Sequence, residues 1–377
     1  MIRKALSIPS VRETSRIILA VLIALTLGFI ITLVVSKDPI GAYNAFLTGP
    51  VSRLNRAGEW IKESITLTLL GLAVAMVFKA NLFSIGQDGQ MQLGALISGI
   101  VVLYVPLPGI LRIPLALIAA GLVGYLWGLI PGLLKAHLNA NEIVSTLMLT
   151  AIAGRFYEFV LVTYLKPPTA GYNVSAAFPP EGLLPSFIPP FMTDLYQLFT
   201  SKANITIMIY IAIALVFVTY FIMYRTPFGY ELRMVGANMK FARYGGVNTK
   251  RTIALAMAVS GILAGLAGAH LTMGIHGRVI TQITASLGFE GIVVALLARN
   301  NPLMVPIAAL AYGYMRAGAD IMERSSDVPR EMVLVIQAII ILLVTAERIL
   351  PMVQKAIAER RDAGPAQPAE AEAAKGE

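Results

Sequence analysis

Four long stretches of this chain carry no charge at all. Ile17–Ser36, Gly89–Leu111, Ile113–Leu134 and Ala203–Tyr224 contain no Asp, Glu, Lys or Arg. Roughly 20 apolar residues cross the hydrocarbon core of a bilayer as a helix. The helix is the form required there, because its backbone groups satisfy one another where no water can. Composition agrees: 57% of the 377 residues are hydrophobic and 14% charged, against about 25% charged in soluble domains. The chain therefore reads as an all-α polytopic membrane protein that cannot fold in water.

Extending this reading gives ten transmembrane helices, with approximate limits 15–36, 64–79, 89–106, 112–134, 143–165, 203–224, 252–274, 286–299, 303–321 and 331–350. Two are interrupted. The polar, glycine-bearing stretch Asn81–Gly89 follows the second, and the polar connection Gly277–Leu287 precedes the short eighth. Both predict broken or re-entrant segments, since non-helical backbone at membrane depth is tolerated only against protein or a watery path.

The net charge of +9 would suit a nucleic-acid binder if it were clustered. Instead the cations sit in short loops between apolar segments, so no nucleic-acid partner is expected. With the N-terminus inside and the spans alternating, 18 of the 30 Lys and Arg fall on the cytoplasmic side and 10 outside, with Arg155 and Arg316 within spans. This bias places both termini in the cytoplasm. The first apolar run is too long for a signal peptide and is read as a retained helix. The organisation is then a cytoplasmic segment 1–14, a membrane domain 15–350 and a tail 351–377. The Ala, Glu, Pro and Lys of that tail predict disorder. Within the membrane domain, 166–202 is an external, proline-rich loop expected to cap the helix ends, and 225–251 is a basic cytoplasmic loop.

Catalytic signatures are absent. There is no cysteine and no phosphate-binding G-x-x-x-x-G-K-[ST] loop, and His137, His270 and His276 do not have metal-ligand spacing. No cofactor or metal is expected in this chain. Small residues instead form stripes: Gly121, Gly124, Gly128 and Gly132 in the fourth span, and Ser260, Gly261, Ala264, Gly265, Gly268 and Ala269 in the seventh. Such spacing lets helix backbones approach closely. Polar residues at membrane depth are costly and mark function by default. The candidates for a translocation path are Asn81, Gln87, Asp88, Gln90, Asn141, Glu142 and Glu290. Arg155 and Glu158, three apart on one helix, are expected to pair with each other.

The cytoplasmic loop TPFGYELRMVGANMKFARYGGVNTKR is the most specific stretch. Asn238–Tyr244 suits a two-turn helix held outside the bilayer between two long spans, a lever for a cytoplasmic partner. The run Gly229–Arg251 resembles the coupling-helix loop of permease subunits in the ABC importer family for branched-chain amino acids, simple sugars and nucleosides. Three further blocks agree. Residues 81–90, NLFSIGQDGQ, resemble the family's N-x-G-x-E-G-Q block, with Asp88 in place of the usual Glu. Residues 141–149, NEIVSTLML, resemble N-E-V-I-x-T-x-M-L. Residues 288–302, GFEGIVVALLARNNP, resemble the late G-x-x-G-I-A-V-A-L-L-G-x-x-x-P block. The resemblance covers about Leu67–Leu350, and its details lean to the nucleoside branch served by purine-nucleoside-binding lipoproteins.

That resemblance implies a multi-pass permease in a bacterial or archaeal cell membrane. It would work with a second permease, identical or homologous, a cytoplasmic ATP-binding subunit and an extracytoplasmic substrate-binding protein. ATP and magnesium would be bound by the ATPase partner, so this chain would not itself be an enzyme. Arg233, Gly236, Asn238, Met239, Lys240, Phe241, Ala242, Arg243, Tyr244 and Gly245 would couple it to that partner. Arg53, Arg56, Arg278 or Arg324 would help dock an acidic receptor. Simple-sugar import is the nearest alternative. An ion-coupled carrier would bury more carboxylates, and a membrane enzyme would need an acid/base or metal cluster.

Overall fold

The computed structural model describes residues 26–186, 203, 205–285, 287–329, 331–335 and 338–339. The N-terminal segment, the start of the first span, the second half of the external loop, most of the last span and the tail lie outside the described residues. All regular structure within them is helical, with two isolated β-bridges, Val174–Ile280 and Ser186–Thr206.

The chain divides into two compact units, one formed by residues 1–43 with 326–377 and the other by 44–325. In the first unit, α1 (Thr26–Val35) ends near Ser36. The Ser36 hydroxyl donates to Asp327 (2.5 Å) and the Lys37 N–H to its other carboxylate oxygen (2.8 Å). These two donors hold the exposed Asp327 carboxyl below its ordinary range. Phe29 meets Tyr43 edge-on at 5.1 Å.

Helix α2 (Pro39–Thr48) begins in the first unit and ends in the second. The second unit then contains α3 (Leu54–Lys79), α4 (Gln87–Tyr104), α5 (Gly109–Leu138), α6 (Glu142–Val160, extended by a π turn to Leu165), α7 (Met208–Arg225), α8 (Pro227–Ala237), α9 (Met239–Tyr244), α10 (Thr249–His270, extended by a π turn to His276), α11 (Leu287–Leu297) and α12 (Val305–Ser325). Five of these are long and apolar enough to cross a membrane: α3, α5, α6 with its extension, α7, and α10 with its extension. The second expected span starts at Leu54, ten residues before its anticipated beginning at 64. The break after it is also shorter than expected, because α4 resumes at Gln87.

Burial separates the spans into two classes. The apolar windows of α3 and α10 are 83% and 78% buried, whereas those of α5, α6 and α7 are 28%, 17% and 28% buried. The first two form the centre. The others present Ile118, Leu122, Phe156, Phe217 and Phe221 outward, as helices facing lipid do.

The centre depends on close backbone approach. The most extensive helix pair is α5 with α10, and α10 also packs on α4 and α3. A side chain at Gly124 would strike the carbonyl oxygen of Gly261, and one at Gly261 would strike that of Gly124. The two small-residue stripes thus face each other across one interface, while Gly268 approaches the backbone of α4 at Met91.

Helix ends follow local chemistry. Asn139 closes α5 in the left-handed region (φ +50°), and the Asn141 side chain accepts from Ile143 N (2.9 Å) to open α6. The described half of the proline-rich loop 166–202 is tied down through its backbone: Ser175 N donates to Val279 O (2.9 Å), Phe178 N to Gly277 O (2.9 Å) and Leu184 N to Met273 O (3.1 Å).

Gly124→Val is expected to destabilise the detergent-solubilised protein by about 1–3 kcal/mol, the usual cost of overpacking. Gly171→Ala, where no atom lies within 4 Å of the new methyl, should leave the melting temperature unchanged. Equal melting curves for Gly124→Val and wild type would refute the close-contact assignment.

Candidate functional site

The two interruptions meet. Leaving α3, Asn81 adopts a left-handed conformation (φ +55°) and Leu82 N reaches back to Val77 O at 3.3 Å, which ends the helix as a left-handed cap. The chain then runs through a non-helical stretch to Gly86, and α4 starts with Gln87 and Asp88. Asp88 accepts a hydrogen bond from the N–H of Gly288 at 2.9 Å, one residue into α11. The carboxylate thus lies at the N-terminal turns of both α4 and α11, where free amide groups and the helix dipole favour negative charge. Gly288 has no room for a side chain, since a Cβ there would press on Asp88.

The sequence-derived path residues divide into three groups. Gln87, Asp88 and Gln90 are buried together at this junction. Both side-chain polar atoms of Gln87, and Oε1 of Gln90, have no partner among the described residues. Buried amides normally find partners, so these unsatisfied groups set the junction apart. Asn81 and Asn141 serve the backbone at helix ends. Glu142 and Glu290 are engaged in ion pairs: Glu142 with Lys135 at 2.8 Å, and Glu290 with Arg316 at 2.5 Å.

Arg316 also approaches Glu63 at 3.8 Å, so α3, α11 and α12 are joined by one guanidinium between two carboxylates. Sequence alone did not reveal this triad, because its members lie on three separate helices; the only signal was that Arg316 falls inside a span. His270, fully buried at the end of α10, bonds through Nδ1 to Thr66 Oγ1 at 2.9 Å.

The expected Arg155–Glu158 ion pair is not formed. Glu158 Oε1 instead accepts from the Thr281 hydroxyl (2.5 Å) and from Gln282 N (3.2 Å). These donors lie in the connection before α11 and reach the carboxylate directly, holding Gln282 at φ +50°. Arg155 makes no ion pair among the described residues. Both residues line a cavity of about 570 Å³ with Gln92, Asn173, Thr281 and Gln282.

The basic loop 225–251 is a chain of caps. Thr226 accepts from Gly229 N (3.1 Å) to start α8, Asn238 from Phe241 N (3.0 Å) to start α9, and Asn248 from Arg251 N (3.1 Å) to start α10. Gly246 makes the exit at φ +81°. The short helix expected from Asn238 to Tyr244 is therefore present, with Asn238 as its cap. It rests on a firm base, since Leu232, Val235 and Ala242 are buried in one cluster with Met76, Val77, Leu82, Met223, Ile253 and Met257. A side chain at Gly236 would strike the carbonyl of Lys79, which places the loop directly on the end of α3. Arg233 donates to Met223 O and lies 5.4 Å from the centre of the Tyr224 ring. Against this base, Phe241 is 63% and Tyr244 92% exposed. The basic residues Lys135, Arg243 and Lys250 line a smaller cavity of about 300 Å³ beside α9.

Removing the cation from the triad should be severe. Arg316→Met leaves two carboxylates facing each other within the bundle and is expected to cost roughly 3 kcal/mol or more. Adding Glu290→Gln to Arg316→Met should recover part of that loss in thermal melts of the purified protein. No recovery in the double variant would show that the triad is not a coupled unit.

Comparison with known proteins places these features in context. The family described as "Branched-chain amino acid transport system / permease component" matches residues 57–345. The chain is 32% identical to a glucose ABC transporter permease of Haloferax volcanii, over 88% of this chain and 87% of that protein. It is 32% identical to a guanosine ABC transporter permease of Bacillus subtilis, over 87% and 92% respectively. With a nucleoside ABC transporter permease of Lactococcus lactis it shares 31% identity, over 88% and 91%. No solved structure matches.

Proposed function

The chain belongs to the permease-component family of branched-chain amino acid transport systems, and from that premise we propose that it is the membrane-embedded half of an ATP-driven nucleoside importer. The observation that carries the mechanism is the exposed pair Phe241 and Tyr244 on a capped helix anchored through buried Ala242. A surface helix in water gains nothing by displaying two large aromatic rings, but a docked partner would cover them. In this reading an ATP-binding subunit grips α9 through Met239, Lys240, Phe241, Arg243 and Tyr244. Arg233, Gly236, Asn238, Ala242 and Gly245 hold that helix rigid and in place.

ATP and magnesium are bound by that partner, and this chain takes no cofactor of its own. A second permease, identical or homologous, completes the path, and an extracytoplasmic receptor delivers solute. The ten-span arrangement with both termini in the cytoplasm, and the division into 1–14, 15–350 and 351–377, belong to the same proposal. Asn81, Gln87, Asp88, Gln90, Asn141, Glu142 and Glu290 border the path in it, with Gln87 and Gln90 the strongest candidates for solute contact.

Nucleosides are preferred because two of the three relatives named above are described as nucleoside or guanosine permeases, and because the sequence blocks lean to the same branch. The glucose permease of Haloferax volcanii supports the sugar alternative. Ion-coupled transport fits less well, since Glu142 and Glu290 are each neutralised by a basic residue.

Purified permease, reconstituted with its ATPase and receptor, should accumulate labelled nucleoside only when ATP is supplied. Uptake driven by an ion gradient without ATP would overturn the assignment, and glucose displacing nucleoside as the transported solute would replace the substrate. Tyr244→Ala should lower ATP-driven uptake at least tenfold while changing stability by no more than about 0.5 kcal/mol, as expected for an exposed site. Undiminished uptake in that variant would remove α9 as the docking element.

A further inference from the structure

Arg155 lies in a membrane-spanning helix without an ion-pair partner among the described residues. An unpaired guanidinium at membrane depth is expensive unless water or a polar ligand reaches it. Arg155 borders such a space, the cavity of about 570 Å³ between α6 and the connection leading into α11. That volume falls within the roughly 300–1,000 Å³ range of small-molecule sites.

The lining has a definite chemistry. Arg155 brings only donors. Glu158 brings an acceptor, because Thr281 and Gln282 N occupy Oε1 and no described residue bonds to Oε2. The two charges cancel, so the cavity suits a neutral solute carrying both donors and acceptors and not an anion. Gln92 adds a buried carbonyl oxygen with no partner, while its amide nitrogen donates to Thr284 (3.3 Å). Asn173 accepts from Lys166 through Oδ1 (3.0 Å), and its amide nitrogen remains available. The wall opposite α6 is held in an unusual conformation. Gln282 stands at φ +50° and Ala285 at φ +41°, and backbone strain of this kind gathers where a ligand site is preorganised.

We propose that this cavity is a transport subsite for 6-oxopurine nucleosides, with Arg155 and Glu158 reading the edge of the base. The inference rests on the nucleoside reading given above. Residues three apart on a helix carry Cβ atoms about 5–6 Å apart, so the two side chains can address neighbouring parts of one planar ring. A guanidinium fork matches the acceptor pair O6 and N7 of guanine. The free carboxylate oxygen of Glu158 can accept from the donor on N1 or on N2 of the same ring. Adenosine keeps the N7 acceptor but presents an amino donor at position 6, which leaves one arm of the guanidinium fork unpaired and disfavours adenosine. Glu158 acts twice, since the bonds that fix the Thr281–Gln282 wall also orient its free oxygen.

The test is a ratio measured in the reconstituted transporter with its receptor, ATPase and partner permease. Uptake kcat/KM is determined for guanosine and adenosine with wild type, Arg155→Gln, Arg155→Lys and Glu158→Gln. The receptor is the same throughout, so any change in the guanosine-to-adenosine ratio belongs to the permease. The ratio is expected to fall at least tenfold in Arg155→Gln and Glu158→Gln, and also in Arg155→Lys, which keeps the charge but loses the fork. An unchanged ratio, or equal loss of both nucleosides, in a wild type that transports guanosine would overturn the subsite and leave the nucleoside reading intact. A wild type that carries glucose and neither nucleoside would overturn both.

Discussion

The structure depends on contact between backbones. Where α5 crosses α10, glycine faces glycine, and neither Gly124 nor Gly261 has space for a methyl group. In lipid, helices gain nothing by hiding apolar surface from water, so association rests on van der Waals contact and on how closely the backbones approach. This contact lets α10 lie at the centre with α5 outside it and α4 and α3 against its other faces. An interior carboxylate bonded to a single backbone amide is tolerable only where the helix termini around it are fixed.

The fold was legible in proportion to how local its causes are. The charge-free runs Ile113–Leu134 and Ala203–Tyr224 mark two of the five long apolar helices, α5 and α7, and the small-residue stripes mark helices built for close approach, though not that they would face each other. The helix at Asn238–Tyr244 could be read from its cap and the glycines after it. The interruptions at Asn81–Gly89 and Gly277–Leu287 were also visible, yet nothing in the string says that they touch. That fact rests on the bond from Gly288 N to Asp88, between residues two hundred positions apart. The Glu63–Arg316–Glu290 triad was hidden for the same reason.

The Arg155–Glu158 pair shows the opposite failure. Helical spacing makes the pair possible, and the cost of burying two charges makes it attractive. A loop from elsewhere in the chain supplies better placed donors to the carboxylate, and the cation is left at a cavity. Of the path candidates, those near helix ends proved to serve helix geometry or neighbouring lysine and arginine. At the start of α4, Asp88 is held by Gly288 N, while the side-chain polar atoms of Gln87 and Oε1 of Gln90 have no partner among the described residues. Burial and hydrogen-bond accounting separated the two sets, and both require coordinates.

Gly236 rests on the carbonyl of Lys79, the last residue of α3. Immediately beyond Lys79 the backbone turns through Asn81 and enters the stretch that ends at Asp88. In the importer proposed above, a load applied to the exposed rings of α9 would enter the protein at the edge of the polar junction, without first traversing a whole helix. The distance over which force must be relayed is set by one short turn, and stiffness matters most in that turn. In that proposal the firmness of the left-handed bend at Asn81 would matter more than the rigidity of any single span.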